Sequence, residues 1–284
     1  MSSNQDFKTI DEQMNILKKR HLSFESENFA RRYLSIYGYY SIINGYKTPY
    51  IDIVDGEDQF HDGVTFEQIY SLFILDHNIR NAIMICMLDV EEHLRSVTAH
   101  TIAELYTSDH SKYLQKSNYR DRPNINPNFT RDKIIYKLNK KLQDNHDPIK
   151  SSRENHGNVP PWILFKGIYF NTLVNFVRIQ KGAAKEKIMN NLYNIDPSIQ
   201  DLSEFKALFT DSLFVCLAYR NCAAHGGRIY NFRPNISITF NKELKGDLAT
   251  MMSPNQIDEF EQSYGINQLL FILSLSNCTS IFEI

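Results

Sequence analysis

One stretch has residue types that could do chemistry: Tyr219-Arg220-Asn221-Cys222-Ala223-Ala224-His225-Gly226-Gly227-Arg228. An arginine is followed five positions later by a histidine at the end of an apolar helical pattern, with a polar asparagine between them. Histidine moves protons near neutral pH. Arginine holds a phosphate through paired hydrogen bonds and offsets charge that builds in a transition state. Such a pair suits phosphodiester cleavage without a metal ion. Arg220 would bind the phosphate, His225 would be general acid or base, and Asn221 would position them. At about 100° per residue the two side chains stand about 140° apart, so they do not stack on an ideal helix. His225 lies in the last turn before two glycines, where it can swing out. The same residues also suit a plain helix-end ion pair or cap, and residue types alone do not separate the two readings.

Few other chemistries are open. No Walker phosphate loop, G-x-G-x-x-G, G-x-S-x-G or H-E-x-x-H motif occurs. His93 and His100 share a helix face seven residues apart, but no third ligand accompanies them, so no metal site and no cofactor are expected. Cys86, Cys216, Cys222 and Cys278 form no C-x-x-C pair, a pattern of reduced thiols in a reducing compartment. The chain has 284 residues, 42% hydrophobic and 23% charged, enough for a sizeable core. A formal charge of −2 excludes a globally basic coat, though not a local basic patch. The polar N-terminus and the shortness of the apolar runs point to a cytoplasmic protein with no membrane span.

The elements that must position the pair read as helices. Met14 and Leu17 mark a short helix over Asp11–Arg20. Phe29, Tyr33 and Ile36 mark another over Glu25–Ile36, stopped by Gly38. An aromatic block from Tyr37 to Tyr50 suits packing more than base stacking, and Asp52–Gly63 reads as a polar surface loop. Thr65-Phe66-Glu67-Gln68 fits a capping box. It opens a long apolar stripe from Ile69 to Ile102, as one helix or two with a kink. Glu91 and Arg95 lie four apart on it, by default a solvated pair. Pro160-Pro161-Trp162 starts a helical region through Val177, Lys185–Tyr193 is helical, and Ile199–Ala224 ends at Gly226-Gly227. A short strand or an extended loop is expected over Ile236–Phe240, then helices over Gln256–Tyr264 and Asn267–Leu275.

Residues 107–160 change character, with prolines and many Asn and Asp. Between Lys112 and Arg153 eleven basic residues face four acidic ones, a local excess of seven positive charges. A helix is expected over Thr130–Gln143, capped by Thr130. Arg120, Arg122, Arg131, Lys133, Lys137, Lys140 and Lys141, interleaved with Tyr113, Tyr119, Phe129 and Tyr136, could grip RNA phosphates and stack unpaired bases. A solvated loop and helix face is the equal alternative.

The Arg220–His225 segment resembles the Arg-x(4–6)-His motif of the HEPN superfamily, and the chain as a whole resembles the Abi-like (abortive-infection phage-resistance) family. The features that carry this run in order: Asp11-Glu12-Gln13, Tyr37-Gly38-Tyr39-Tyr40, Gly45-Tyr46-Lys47, Phe60-x-x-Gly63-Val64-Thr65-Phe66, Asp76-x-x-x-Arg80, Glu91-Glu92-His93-Leu94-Arg95, Pro161-Trp162 and Arg220-Asn221-x-x-x-His225-x-x-Arg228-x-x-Asn231. The basic stretch over 117–158 departs from the pattern. The resemblance implies an all-α HEPN helical bundle with an N-terminal extension (1–60), a core over 61–284, a basic insertion at about 107–160 and irregular loops, all one domain. It also implies an endoribonuclease toxin of phage defence whose two motifs meet across a homodimer. Attack by a ribose 2′-hydroxyl would leave a 2′,3′-cyclic phosphate. Glu91, Arg95 and Arg228 would support the site, and a small structured RNA is an expected partner, with no DNA and no membrane. Two alternatives stay open: an RNA-binding protein without turnover, and a protein-interaction subunit.

Overall fold

The computed structural model describes residues 7–121, 127–193, 195, 202–236, 238, 242–249 and 252–276. The fold is all-α, with one two-stranded sheet among the described residues. Contacts divide the chain into two compact units, one ending at Ala82 and the other beginning at Ile83.

In the first unit, α1 (Ile10–Lys19) starts at a capping box in which Thr9 accepts from the Glu12 amide and the Glu12 carboxylate accepts from the Thr9 amide at 2.7 Å. Those bonds to Thr9 hold the Glu12 carboxyl below its ordinary range. Met14 and Leu17 are fully buried, against α2 (Glu27–Tyr37). The buried positions of α2 are Ala30 and Leu34, whereas Ile36 is exposed, contrary to the stripe expected from spacing. Its aromatic side chains carry the packing instead: Phe29, Tyr33 and Tyr37 close on Tyr70 and Phe73, with Tyr33 and Tyr70 4.3 Å apart.

The expected loop at Asp52–Gly63 is a hairpin, β1 (Ile51–Val54) paired antiparallel with β2 (Glu57–Phe60). The reason is the dipeptide Asp55-Gly56. Val54 pairs with Glu57, leaving a two-residue turn with both φ angles positive, 50° and 82°. That geometry matches the twist of the strands and favours Asp-Gly. Arg20 and Lys47 both reach Asp58, pinning the hairpin. Thr65 and Gln68 then form the expected capping box, and α3 (Phe66–Tyr106) runs unbroken for 41 residues.

The second unit takes the rest of α3. After α4 (His110–Tyr113), the chain makes α5 (Arg131–Lys141) with Thr130 as its N-cap, close to expectation. Next come α6 (Ile149–His156) and α7 (Pro161–Leu164), whose first residue is a buried proline. The helical run expected through Val177 is broken by a 3-10 turn at Phe165–Gly167 before α8 (Phe170–Arg178). α8 packs against both α10 (Ser203–Ala224) and α5, and buries Phe170, Leu173, Val174, Phe176 and Val177. Each such side chain contributes about 1.5–3 kcal/mol by leaving water, so α8 is the spine of this unit. α9 (Gly182–Leu192) and α13 (Ile266–Ser274) flank α10, with α11 (Lys242–Leu248) and α12 (Pro254–Gln262) completing the layer.

The strand or extended loop expected over 236–240 falls largely outside the described residues, as do Arg122, Cys278 and the expected helix start at 199–201. Tyr113 and Tyr119 are core residues, 0% and 2% exposed, so neither can stack a base as the sequence reading allowed. Burial raises the Tyr119 hydroxyl well above its ordinary pKa. No helix among the described residues is long and apolar enough to cross a membrane.

Candidate functional site

α10 is buried along most of its length, and its end is fixed by local chemistry. The Gly226 amide donates to the Ala223 carbonyl at 3.2 Å and the Gly227 amide to the Cys222 carbonyl at 2.8 Å, with Gly226 at φ +71°. This is a Schellman termination with His225 as the C-cap residue. A Cβ at Gly227 would lie 2.5 Å from the Cys222 sulfur and 2.9 Å from its carbonyl oxygen, so only glycine lets the chain fold back so tightly. The returning strand is tied down again where Cys222 meets the Arg228 carbonyl and where the Tyr219 ring meets Phe232 edge-on.

This ending lifts His225 into solvent. Its imidazole is exposed and makes no hydrogen bond or ion pair with the described residues. Arg220, one turn and more earlier, is partly exposed. Its Nε faces Glu91 Oε2 at 3.8 Å. Both atoms are buried, and neither has a hydrogen-bond partner. The terminal nitrogens of Arg220 have no partner among the described residues, so the guanidinium is anchored by its inner edge while its outer edge stays uncommitted. Arg220 and His225 are not sealed inside the unit.

Glu91 is the pivot of the arrangement. It is 8% exposed, not the solvated carboxylate expected from an i,i+4 pair. Its Oε1 accepts from Arg95 Nη2 at 2.6 Å. Arg95 is itself held on two more sides, by the Phe165 carbonyl at 2.9 Å and Glu92 at 2.7 Å. The hydrogen bonds of Arg95 thus go to Glu91, Glu92 and the Phe165 carbonyl and not to Arg220 or His225; it holds Glu91, which faces Arg220. Asn221 is half-buried and its amide side chain makes no hydrogen bond to Arg220 or His225, although its backbone carbonyl accepts from the His225 amide at 3.1 Å. The expected positioning role of that side chain therefore has no contact behind it. Arg228 is exposed, after the tight turn. His93, on the other side of α3's acidic pair, is half-buried, and desolvation lowers its pKa.

The basic residues named from sequence do not form one open face. Arg131 is engaged by Asp121 at 3.1 Å and Asp132 at 3.2 Å. Lys141 pairs with Asp144, and Lys137 sits over the Phe129 ring at 4.1 Å. Lys133 and Lys140 remain exposed with no ion pair among the described residues. Arg120 stands apart from them, lining a cavity of about 480 Å³ with Gln180, Lys185, Lys206 and Asp211. Burial raises the pKa of Asp211 there, an effect that Lys185 opposes.

Sequence reasoning missed the surroundings of Arg95. A cleft of about 380 Å³ opens beside it, walled by Glu92, Ser96, His100, Trp162 and Lys166. Two signals were present: Trp162 is the one tryptophan in the chain, and it follows two prolines that seat it at the start of a short helix.

A family model described as Abi-like protein matches residues 32–231. No curated protein and no solved structure matches the chain. The matched span holds Glu91, Arg95, Arg220, Asn221, His225 and Arg228, and stops short of α11, α12 and α13. Covering well over half of the sequence, it places the chain in the Abi-like protein family.

Proposed function

We propose that this protein is a metal-independent endoribonuclease of the HEPN type that acts in abortive-infection phage defence. Family membership suggests the biological role, and the HEPN assignment rests on the Arg220–His225 spacing. The observation that carries the chemistry is the state of Arg220: its inner edge against Glu91 and its outer edge uncommitted, one helix turn and more from an exposed imidazole.

The outer guanidinium edge holds the non-bridging oxygens of a phosphodiester, where bidentate geometry suits it. A ribose 2′-oxygen attacks phosphorus, the bond to the 5′-oxygen breaks, and the products are a 2′,3′-cyclic phosphate and a 5′-hydroxyl. One imidazole accepts the 2′-hydroxyl proton, and a second donates a proton to the leaving oxygen. A single copy supplies only one histidine in this segment, and Arg220 and His225 diverge around the helix. Two copies meeting across a two-fold axis supply both groups twice, so a homodimer is part of the proposal. Cleavage of total RNA in EDTA by wild type and His225→Ala tests it. Wild type should cut and the variant should not; equal cutting by both overturns the assignment.

A second reading, RNA binding without turnover, is favoured by one observation. Nothing among the described residues orients the His225 ring or the Asn221 amide. It predicts salt-sensitive RNA affinity, including for a structured RNA partner, with no cleavage by either protein.

A further inference from the structure

We propose that Trp162 and the clefts on either side of it seat an unpaired nucleotide of single-stranded RNA, with the indole as the stacking platform. The inference deepens the ribonuclease reading, and rests on it for the choice of RNA as occupant.

Tryptophan is among the largest apolar side chains, yet Trp162 is 50% exposed. Its neighbours show that the exposure is built in. Pro161 and Leu164 of the same short helix are buried and hold α7 in place, while Trp162 stands outward between two clefts of about 380 and 400 Å³. Both volumes lie in the range of small-ligand sites, about 300–1,000 Å³. The two walls differ in character. On one side are Arg95, His100 and Lys166, with the Glu92 carboxylate, already taken by Arg95, among them. On the other are Ser151, Ser152, His156 and Asn158.

The charged wall is preorganised. Arg95 is fixed by Phe165, Glu92 and Glu91, which still leaves N–H donors uncommitted on its guanidinium. Lys166 is exposed and makes no ion pair among the described residues, so it is the cation available to a phosphate. The second wall is tied into its own loop: Ser152 donates to the Asn158 carbonyl at 2.7 Å, and the Asn158 amide donates to the Ser108 carbonyl at 3.0 Å. An aromatic face with a cation on one side and hydrogen-bonding groups on the other matches a base, its phosphate and its ribose. Duplex bases are already stacked and do not offer a face to a lone indole, which favours a single strand. The cleft also joins the candidate site through Arg95, which lines the cleft and grips the carboxylate facing Arg220.

Because Trp162 is the sole tryptophan, its emission reports this position alone. The experiment titrates wild type and His225→Ala with a short 2′-O-methylated oligouridylate, which 2′-oxygen attack cannot cleave, and with the same strand annealed to oligoadenylate. Binding is followed by tryptophan emission and by anisotropy of a labelled strand. The single strand should quench Trp162 saturably and equally in both proteins, and the duplex should bind more weakly. Trp162→Ala should weaken binding by about 5- to 150-fold, the range for one base–aromatic stack. Trp162→Phe should retain most of the affinity, and Lys166→Gln should flatten the salt dependence. Unchanged emission at saturation, no binding, full affinity in a folded Trp162→Ala, or equal affinity for the duplex each overturns the proposal. Quenching without cleavage by wild type would sink the catalytic reading and leave this one standing. Cleavage lost in His225→Ala with Trp162 emission untouched would do the reverse.

Discussion

Asp76 and Glu91 are both buried carboxylates on α3, one in each compact unit, and the contacts they make differ. Asp76 is 0% exposed and accepts from the Tyr46 hydroxyl at 2.6 Å, a donor on the helical turn before the hairpin. Glu91 lies between two guanidiniums, bound closely by Arg95 and loosely by Arg220, and its second oxygen has no hydrogen-bond partner. An unmade hydrogen bond at a buried polar atom costs about 1–3 kcal/mol. Such a cost persists in folded proteins mainly at functional or strained sites. Burial of a charge alone does not single out a site; it is the incomplete set of partners beside an uncommitted cation that makes Glu91 and Arg220 candidates.

The comparison predicts a ranked set of outcomes. The largest concerns the exposed end of the pair. His225→Ala should lower RNA cleavage by about 10²- to 10⁴-fold, the usual worth of a general acid or base. It should leave the melting temperature unchanged, since the ring is exposed and makes no hydrogen bond or ion pair with the described residues. A large loss of stability would mean that His225 is a structural cap.

Next come the two carboxylates themselves. Glu91→Gln keeps the shape but releases Arg220, and should reduce cleavage about tenfold, equivalent to ~1.4 kcal/mol of transition-state stabilisation. Tyr46→Phe strips the hydroxyl from Asp76 and should cost about 1–3 kcal/mol in urea unfolding, with cleavage intact. If Tyr46→Phe impaired cleavage as much as Glu91→Gln, the contrast between the two sites would fail.

A smaller effect is expected at the turn. Gly227→Ala must push against Cys222, so cleavage should fall several-fold while the bulk of the helix signal in circular dichroism remains.

The smallest concerns pH. Burial lowers the pKa of His93, so protonation is harder in the folded state than in the unfolded chain. The unfolded chain therefore takes up the proton first, and stability present above the ordinary histidine pKa is lost as pH falls through the lowered one. The melting temperature should decline from about pH 7 to about pH 5, and His93→Gln should decline less. Identical slopes would remove His93 as a cause.

Local signals in the sequence located α1, α3, α5 and the end of α10, because caps, glycines and helical spacing act within a few residues. Thr65, Thr130 and Gly226 are each visible without any tertiary knowledge. The hairpin was also visible locally, as Asp55-Gly56, but its polar strands alternate too weakly to announce themselves. Distant packing decided the rest. The burial of Tyr113 and Tyr119 inside a basic segment, the exposure of Ile36, and the break at Phe165–Gly167 depend on which neighbours arrive from elsewhere in the chain. So does the candidate site. The amino-acid order by itself set the Arg220–His225 spacing, the turn that exposes the imidazole, and the Glu91–Arg95 pair on one helix face. Only the tertiary structure brought Glu91 to Arg220 and opened the cleft at Trp162, because a contact across more than a hundred residues is fixed by packing and not by spacing.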